Sequence, residues 1–268
     1  MLNPFISVIN QLISEPQASL LNGILFGVKS QMPKELFYAL RDTGVLHVIA
    51  LSGMNISILI DILAKLTLFL GRRVSIIVTI LSIFGFVMFV GPSSSVVRAA
   101  IMGAMTLVAI YFGKRAWSLL SLFLASGIML LVRPEWLKEI SFQLSFLATL
   151  GVILANNVIK RERSLRLSKQ LIFGFKENLA MTLSAQIFTM PIIVYNFHRI
   201  SLIGPVANLA IGWVVQPIMI LGFIVAIVGW VWLPLGYIPA WIVWVPLTYF
   251  INVIEVLATI PGASLQLQ

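Results

Sequence analysis

The chain has 268 residues, of which 60% are hydrophobic and only 10% charged, with a mean hydropathy of +1.04. Soluble domains carry about 25% charged residues, so a soluble globular fold is excluded, as is a transmembrane β-barrel, which would alternate apolar and polar residues in segments of roughly 10. The net charge of +9 does not by itself point to nucleic acid, because cytoplasmic loops of membrane proteins collect Lys and Arg.

The fold class that follows is all-α: a polytopic transmembrane helical bundle, with broken or re-entrant helices. The absence of Cys excludes disulfides, thiolate metal sites and cysteine nucleophiles. Residues 1–19 contain Asn3, Pro4, Asn10, Glu15 and Pro16 without a basic stretch, which is unlike a cleavable signal peptide.

Residues 1–44 form an N-terminal interfacial or amphipathic helical segment. Within it "ASLLNGILFGV" (18–28) is apolar but shorter than the ~20 residues a span needs, so it reads as an interfacial or re-entrant helix. Pro33 then opens an amphipathic helix in "KSQMPKELFYALRD". The transmembrane domain occupies 45–268. Its eight expected spans are 45–70, 74–91, 95–112, 116–132, 140–159, 177–195, 201–229 and 236–260. "GRR" (71–73), "GPSSS" (91–95), "GKR" (113–115), "RPEWLKE" (133–139) and "NFHR" (196–199) separate them, and a basic loop fills 160–176. The seventh span is over-long and holds Pro205 and Pro217, which marks it as a broken helix or a re-entrant segment plus a span.

Alternating the sides places Arg72, Arg73, Lys114, Arg115 and the cations of 160–176 together. The other side mixes fewer cations with Glu35, Asp42, Glu135 and Glu139. The positive-inside rule therefore puts the 160–176 loop in the cytoplasm and the 1–44 region outside.

Helical spacing aligns the polar groups of the spans. In the first, Ala50, Gly53, Ser57, Asp61 and Lys65 share a face; in the third, Ser95, Ala99, Gly103 and Thr106 do so. Ser141 and Ser145 lie on one face of the fifth span with Gln143 off it, Gln186 stacks on Thr182 in the sixth, and Asn208 joins Gly204, Gly212 and Gln216 in the seventh. Such faces serve helix packing or an aqueous path. Asp61 has two readings, a local pair with Lys65 at i+4 or a path residue. Arg98 either snorkels to the interface or turns inward and holds a phosphate by forked hydrogen bonds. His47, near a helix start, suits a capping role. The two histidines lie far apart in the chain, which gives no metal cluster. No phosphate loop, H-E-x-x-H or G-x-S-x-G motif occurs, so neither an ATP motor nor a hydrolase is indicated and no cofactor is expected.

Four segments, in order, carry a resemblance. "ALRDTGVLHVIALSGMNISIL" (39–59), "GPSSSVVRAAIMG" (91–103), "EISFQLSFLATLGVIL" (139–154) and "SAQIFTMPIIVYNFHRISLIGPVANLAI" (184–211) together resemble the ComEC-type competence protein family. The resemblance implies a bacterial inner-membrane channel that carries single-stranded DNA into the cell during natural transformation, without enzymatic activity of its own. It implies the channel core alone, because oligonucleotide-binding and nuclease domains that often accompany it have no counterpart in this sequence. The partners it implies are single-stranded DNA, the lipid bilayer, an oligonucleotide-binding DNA receptor outside, an ATP-driven helicase inside and a separate nuclease. Together with the polar faces of the spans, it gives as expected path residues His47, Ser52, Gly53, Asn55, Ser57, Asp61, Arg98, Gln143, Ser145, Gln186 and Asn208. One departure stands in the signature: Asn55 occupies a position where the family commonly has His. Two other classes compete, a secondary transporter of a smaller solute and a non-transporting assembly subunit.

Overall fold

Long apolar runs in this chain leave helix as the only way to satisfy each backbone N–H and C=O without water. The computed structural model describes residues 4–49, 53–163, 170–197, 199–201, 203–260 and 264–266. Its helices are α1 (Pro4–Leu12), α2 (Gln17–Phe26), α3 (Lys34–Asp42), α4 (Gly53–Thr67), α5 (Arg72–Val90), α6 (Ser94–Tyr111), α7 (Ser118–Val132), α8 (Ile140–Arg163), α9 (Gln170–Phe197), α10 (Gly204–Val231) and α11 (Leu233–Ala258). Short 3₁₀ turns follow at Leu46–Val48, Leu68–Leu70 and Pro134–Lys138, and Arg199–Ser201 and Ser264–Gln266 are extended.

Each of the eight expected spans contains a helix, and the all-α polytopic bundle is what the chain forms. Among the described residues, six helices are long and apolar enough to cross a membrane: 53–70, 72–90, 94–111, 179–196, 204–231 and 233–258. The apolar parts of α7 and α8, at 118–132 and 140–156, are shorter. On α5 the outward residues Leu81, Phe84 and Met88 are each at least 60% exposed, as a surface made for hydrocarbon requires.

Three details differ from the sequence reading. The seventh span is unbroken: Pro205 sits in the first turn of α10, where its missing N–H costs nothing, and Pro217 lies inside the helix. The basic 160–176 stretch is not all loop. Helix α8 runs to Arg163 and α9 starts at Gln170, because Arg, Glu, Lys, Gln and Leu favour helix whether or not hydrocarbon surrounds them. Helix α2, expected as an interfacial or re-entrant helix, has all ten of its residues buried in protein and so presents no apolar face to lipid.

The chain forms two compact units, one of residues 1–58 with 201–265 and one of 59–200 with 266–268. In the first, α2 packs among α1, α10 and α11. Glycines set the close approaches. A Cβ on Gly222 would stand 2.5 Å from Leu21 Cδ1, and one on Gly236 would stand 2.8 Å from the Gly229 Cα. Small residues let membrane helices meet backbone to backbone where no hydrophobic effect drives them together. Gln17 Nε2 donates to Thr248 Oγ1 at 3.1 Å, which ties the start of α2 to α11.

In the second unit α8 and α9 form a tight pair. A Cβ on Gly151 would lie 2.8 Å from the Ser184 carbonyl oxygen, and Ser184 Oγ donates to the Gly151 carbonyl at 2.8 Å. Met129, Trp136 and Phe142 form an apolar cluster that Val97, Ile101 and Leu130 pack against. The turn into α5 is pinned by Ser75 Oγ, which donates to the Ala64 carbonyl at 3.0 Å.

Candidate functional site

The signature "DTGVLH" (42–47) folds as a closure of α3. Thr43 Oγ1 donates to the Ala39 carbonyl at 2.7 Å, and Gly44 turns the chain at φ +73°, a left-handed backbone that a side chain resists. His47 Nδ1 then bonds the Gly44 carbonyl at 3.1 Å. The same turn receives the start of α10. Ser201 Oγ donates to the Asp42 carbonyl at 3.1 Å, a Cβ on Gly44 would lie 2.8 Å from Ser201 Cβ, and the Asn208 side chain hydrogen-bonds His47. Two expected path residues that are remote in sequence are therefore partners.

Helix α4 is described from Gly53 onward. The 3₁₀ turn ends at Val48, while Ser52 lies outside the described residues. Asn55 is 1% exposed, and its Nδ2 donates to the Ile24 carbonyl at 3.0 Å. That carbonyl is one of the last in α2 and has no helical donor of its own, so Asn55 completes the end of a buried helix. An imidazole N–H could make the same bond.

The opposite side of α4 is exposed. Met54, Ser57, Asp61 and Lys65 make up this stripe, and Leu68 of the following 3₁₀ turn is exposed beyond it. Ser57 Oγ donates to the Gly53 carbonyl at 2.9 Å. Lys65 Nζ stands 2.7 Å from Asp61 Oδ2, with side chains 73% and 49% exposed. The local i, i+4 pair thus forms, with Lys65 in the last turn of α4 and Asp61 near the middle of the 53–70 span. A charge placed there costs about 2.5–3.5 kcal/mol on insertion scales when lipid surrounds it. Water or protein is therefore the natural neighbour of this face.

Arg98, in α6, is turned inward at 4% exposure rather than snorkelling. Its Nη1 donates to the Ser145 carbonyl and to Thr149 Oγ1, both on α8, and its Nε is buried without a partner. Among the described residues the ion pairs are Arg41–Asp42 and Lys65–Asp61, so no carboxylate there balances Arg98. Gln143 Nε2 donates to the Leu137 carbonyl at 2.9 Å, closing the 3₁₀ turn onto α8. Gln186 is half-buried on α9, and its carbonyl accepts from Thr189 Oγ1 at 3.2 Å. Among the described residues no three His, Asp or Glu side chains gather into a group that could hold a metal ion.

The expected site residues thus fall into two sets. His47, Gly53, Asn55, Ser57 and Asn208 belong to the first unit, and Asp61, Arg98, Gln143, Ser145 and Gln186 to the second. Sequence spacing missed Thr149 and Ser201, whose Ser/Thr hydroxyls carry no signal until the packing partner is known.

Apolar spans that bury an arginine and carry an exposed carboxylate near mid-span define a polytopic α-helical membrane protein with polar groups set inside its membrane region. The chain belongs to the competence protein family, whose model matches residues 24–268. It is similar to ComE operon protein 3 of Bacillus subtilis (strain 168), with 28% identity over 206 residues, 76% of this chain and 25% of that protein. It is also similar to a protein of Aquifex aeolicus (strain VF5) described as "Uncharacterized protein", 30% identical over 132 residues, 48% of this chain and 31% of the relative. The matches thus span between a quarter and a third of the length of these relatives. No solved structure matches the chain.

Proposed function

We propose that the chain forms the membrane channel part of a DNA-uptake apparatus and passes single-stranded DNA inward across the bacterial inner membrane during natural transformation. The observation that carries this reading is the family match over residues 24–268. The exposed Ser57–Asp61–Lys65 face of α4 and the buried Arg98 support it, because both put polar or charged groups where lipid alone would not hold them.

A polyanion crosses well where many weak sites share the work, since strong uniform basicity would trap it. Hydroxyl, amide and paired side chains on the spans suit that requirement, and the reading gives the chain no chemistry of its own. Its partners are an oligonucleotide-binding receptor outside, an ATP-driven helicase on the cytoplasmic side and a separate nuclease. The basic 160–176 stretch lies on the cytoplasmic side in this scheme.

The test is transformation frequency in a strain lacking the coding region, with and without the chain supplied in trans. Loss on deletion and recovery on complementation are predicted, whereas an unchanged frequency in the deletion strain refutes the reading.

A further inference from the structure

Helix α10 carries bare polar groups at its centre. Gln216 lies within half a turn of the midpoint of this 204–231 helix, and its side chain is exposed. Among the described residues it has no hydrogen-bond partner. Pro217 follows inside the helix. It has no N–H, so the Trp213 carbonyl lacks the donor that an α-helix normally provides. Trp213 is itself 65% exposed. One turn before Gln216, a Cβ on Gly212 would meet nothing within 4 Å.

Lipid cannot satisfy a side-chain amide and a main-chain carbonyl at this depth. Snorkelling offers no escape either. The first residue of α10 is roughly 18 Å away along the helix, far beyond the reach of a glutamine. We propose that this face of α10 lines the aqueous path, with Gln216 and the Trp213 carbonyl as a hydrogen-bonding station for the passing single strand near mid-membrane. The proposal rests on the reading of the chain as a DNA channel. The station is neutral and offers donors and acceptors together, so it can pair with base edges without holding the strand as a cation would.

The chain has no cysteine, so Gln216→Cys and Gly212→Cys can be labelled in membrane vesicles with a charged, membrane-impermeant thiol reagent. Leu81→Cys serves as the lipid-facing reference, because Leu81 lies at the centre of α5 and is 64% exposed. Both α10 variants are predicted to react about tenfold or more faster than Leu81→Cys, since the reactive thiolate does not form in hydrocarbon. Added single-stranded oligonucleotide is predicted to slow them. Rates equal to that of Leu81→Cys overturn the water-lined face, and fast labelling that oligonucleotide leaves untouched overturns the strand contact. Gly212→Cys fills open space, so it carries the test if Gln216→Cys fails to accumulate. Fast labelling alongside normal transformation in the deletion strain refutes DNA as the cargo while leaving the aqueous face standing.

Discussion

His47, in the turn that follows α3, and Asn208, in the second turn of α10, are hydrogen-bonded side chain to side chain. With the bond from His47 Nδ1 to the Gly44 carbonyl, the imidazole joins the family signature to the start of α10. Replacing either residue by Ala is predicted to lower stability by about 0.5–1.5 kcal/mol. The double variant should lose less than the sum of the two, because the bond is shared. Thermal unfolding in detergent checks this, and full additivity would mean that the two side chains act independently.

Gly44 and Gly71 both have positive φ, +73° and +91°, but only Gly44 is crowded. Nothing lies within 4 Å of a Cβ on Gly71, whereas Ser201 blocks one on Gly44. Gly71→Ala should cost the backbone strain of about 1–3 kcal/mol. Gly44→Ala should add roughly 1–3 kcal/mol of overpacking to that. Equal melting temperatures for the two variants would show that the Asp42–Ser201 contact yields freely.

Asn55 satisfies the Ile24 carbonyl from a site that is 1% exposed. Asn55→Leu strands that acceptor and is predicted to cost about 1–3 kcal/mol. Asn55→Asp should be worse, because an ionised carboxylate cannot donate and would be buried. An aspartate variant more stable than the leucine variant would contradict this role.

Much of this was visible in the sequence, and the rest was hidden for identifiable reasons. Apolar runs divided by Gly, Pro and Arg mark the spans, while the expected interruption at Ser52-Gly53 falls on the edge of the described residues. The spacing of Asp61 and Lys65 contains their pairing. Periodicity, however, reports which residues share one helix face and not what lies opposite. It therefore could not pair His47 with Asn208, or separate buried Asn55 from exposed Ser57 with certainty of role. Pro217 suggested a break, yet a long apolar helix absorbs one missing bond on its exposed side. Residues 18–28 read as interfacial or re-entrant because they are too short to span. The burial of α2 along its whole length comes from α1, α10 and α11 packing around it, which no local pattern encodes.

Arg98 separates stability from function. Its Nη1 bonds lead to a carbonyl that also accepts from Thr149 Oγ1 at 2.9 Å, so no acceptor is orphaned when the guanidinium goes. Among the described residues Arg98 has no ion-pair partner, so replacing it by an apolar side chain of similar length removes the cost of keeping a lone charge out of water. Arg98→Met should therefore fold as well as the parent yet transform poorly. Loss of folding in the Met variant, with full rescue by Arg98→Lys, would assign the charge to structure instead.

The most direct measurement follows the strand itself. Labelled double-stranded DNA is given to competent cells with and without this chain, and label protected from external nuclease is recovered from the cytoplasm as single strand. The account predicts surface-bound DNA in both strains and internal single strand only where the chain is present. Equal amounts of protected single strand in the two strains would contradict it.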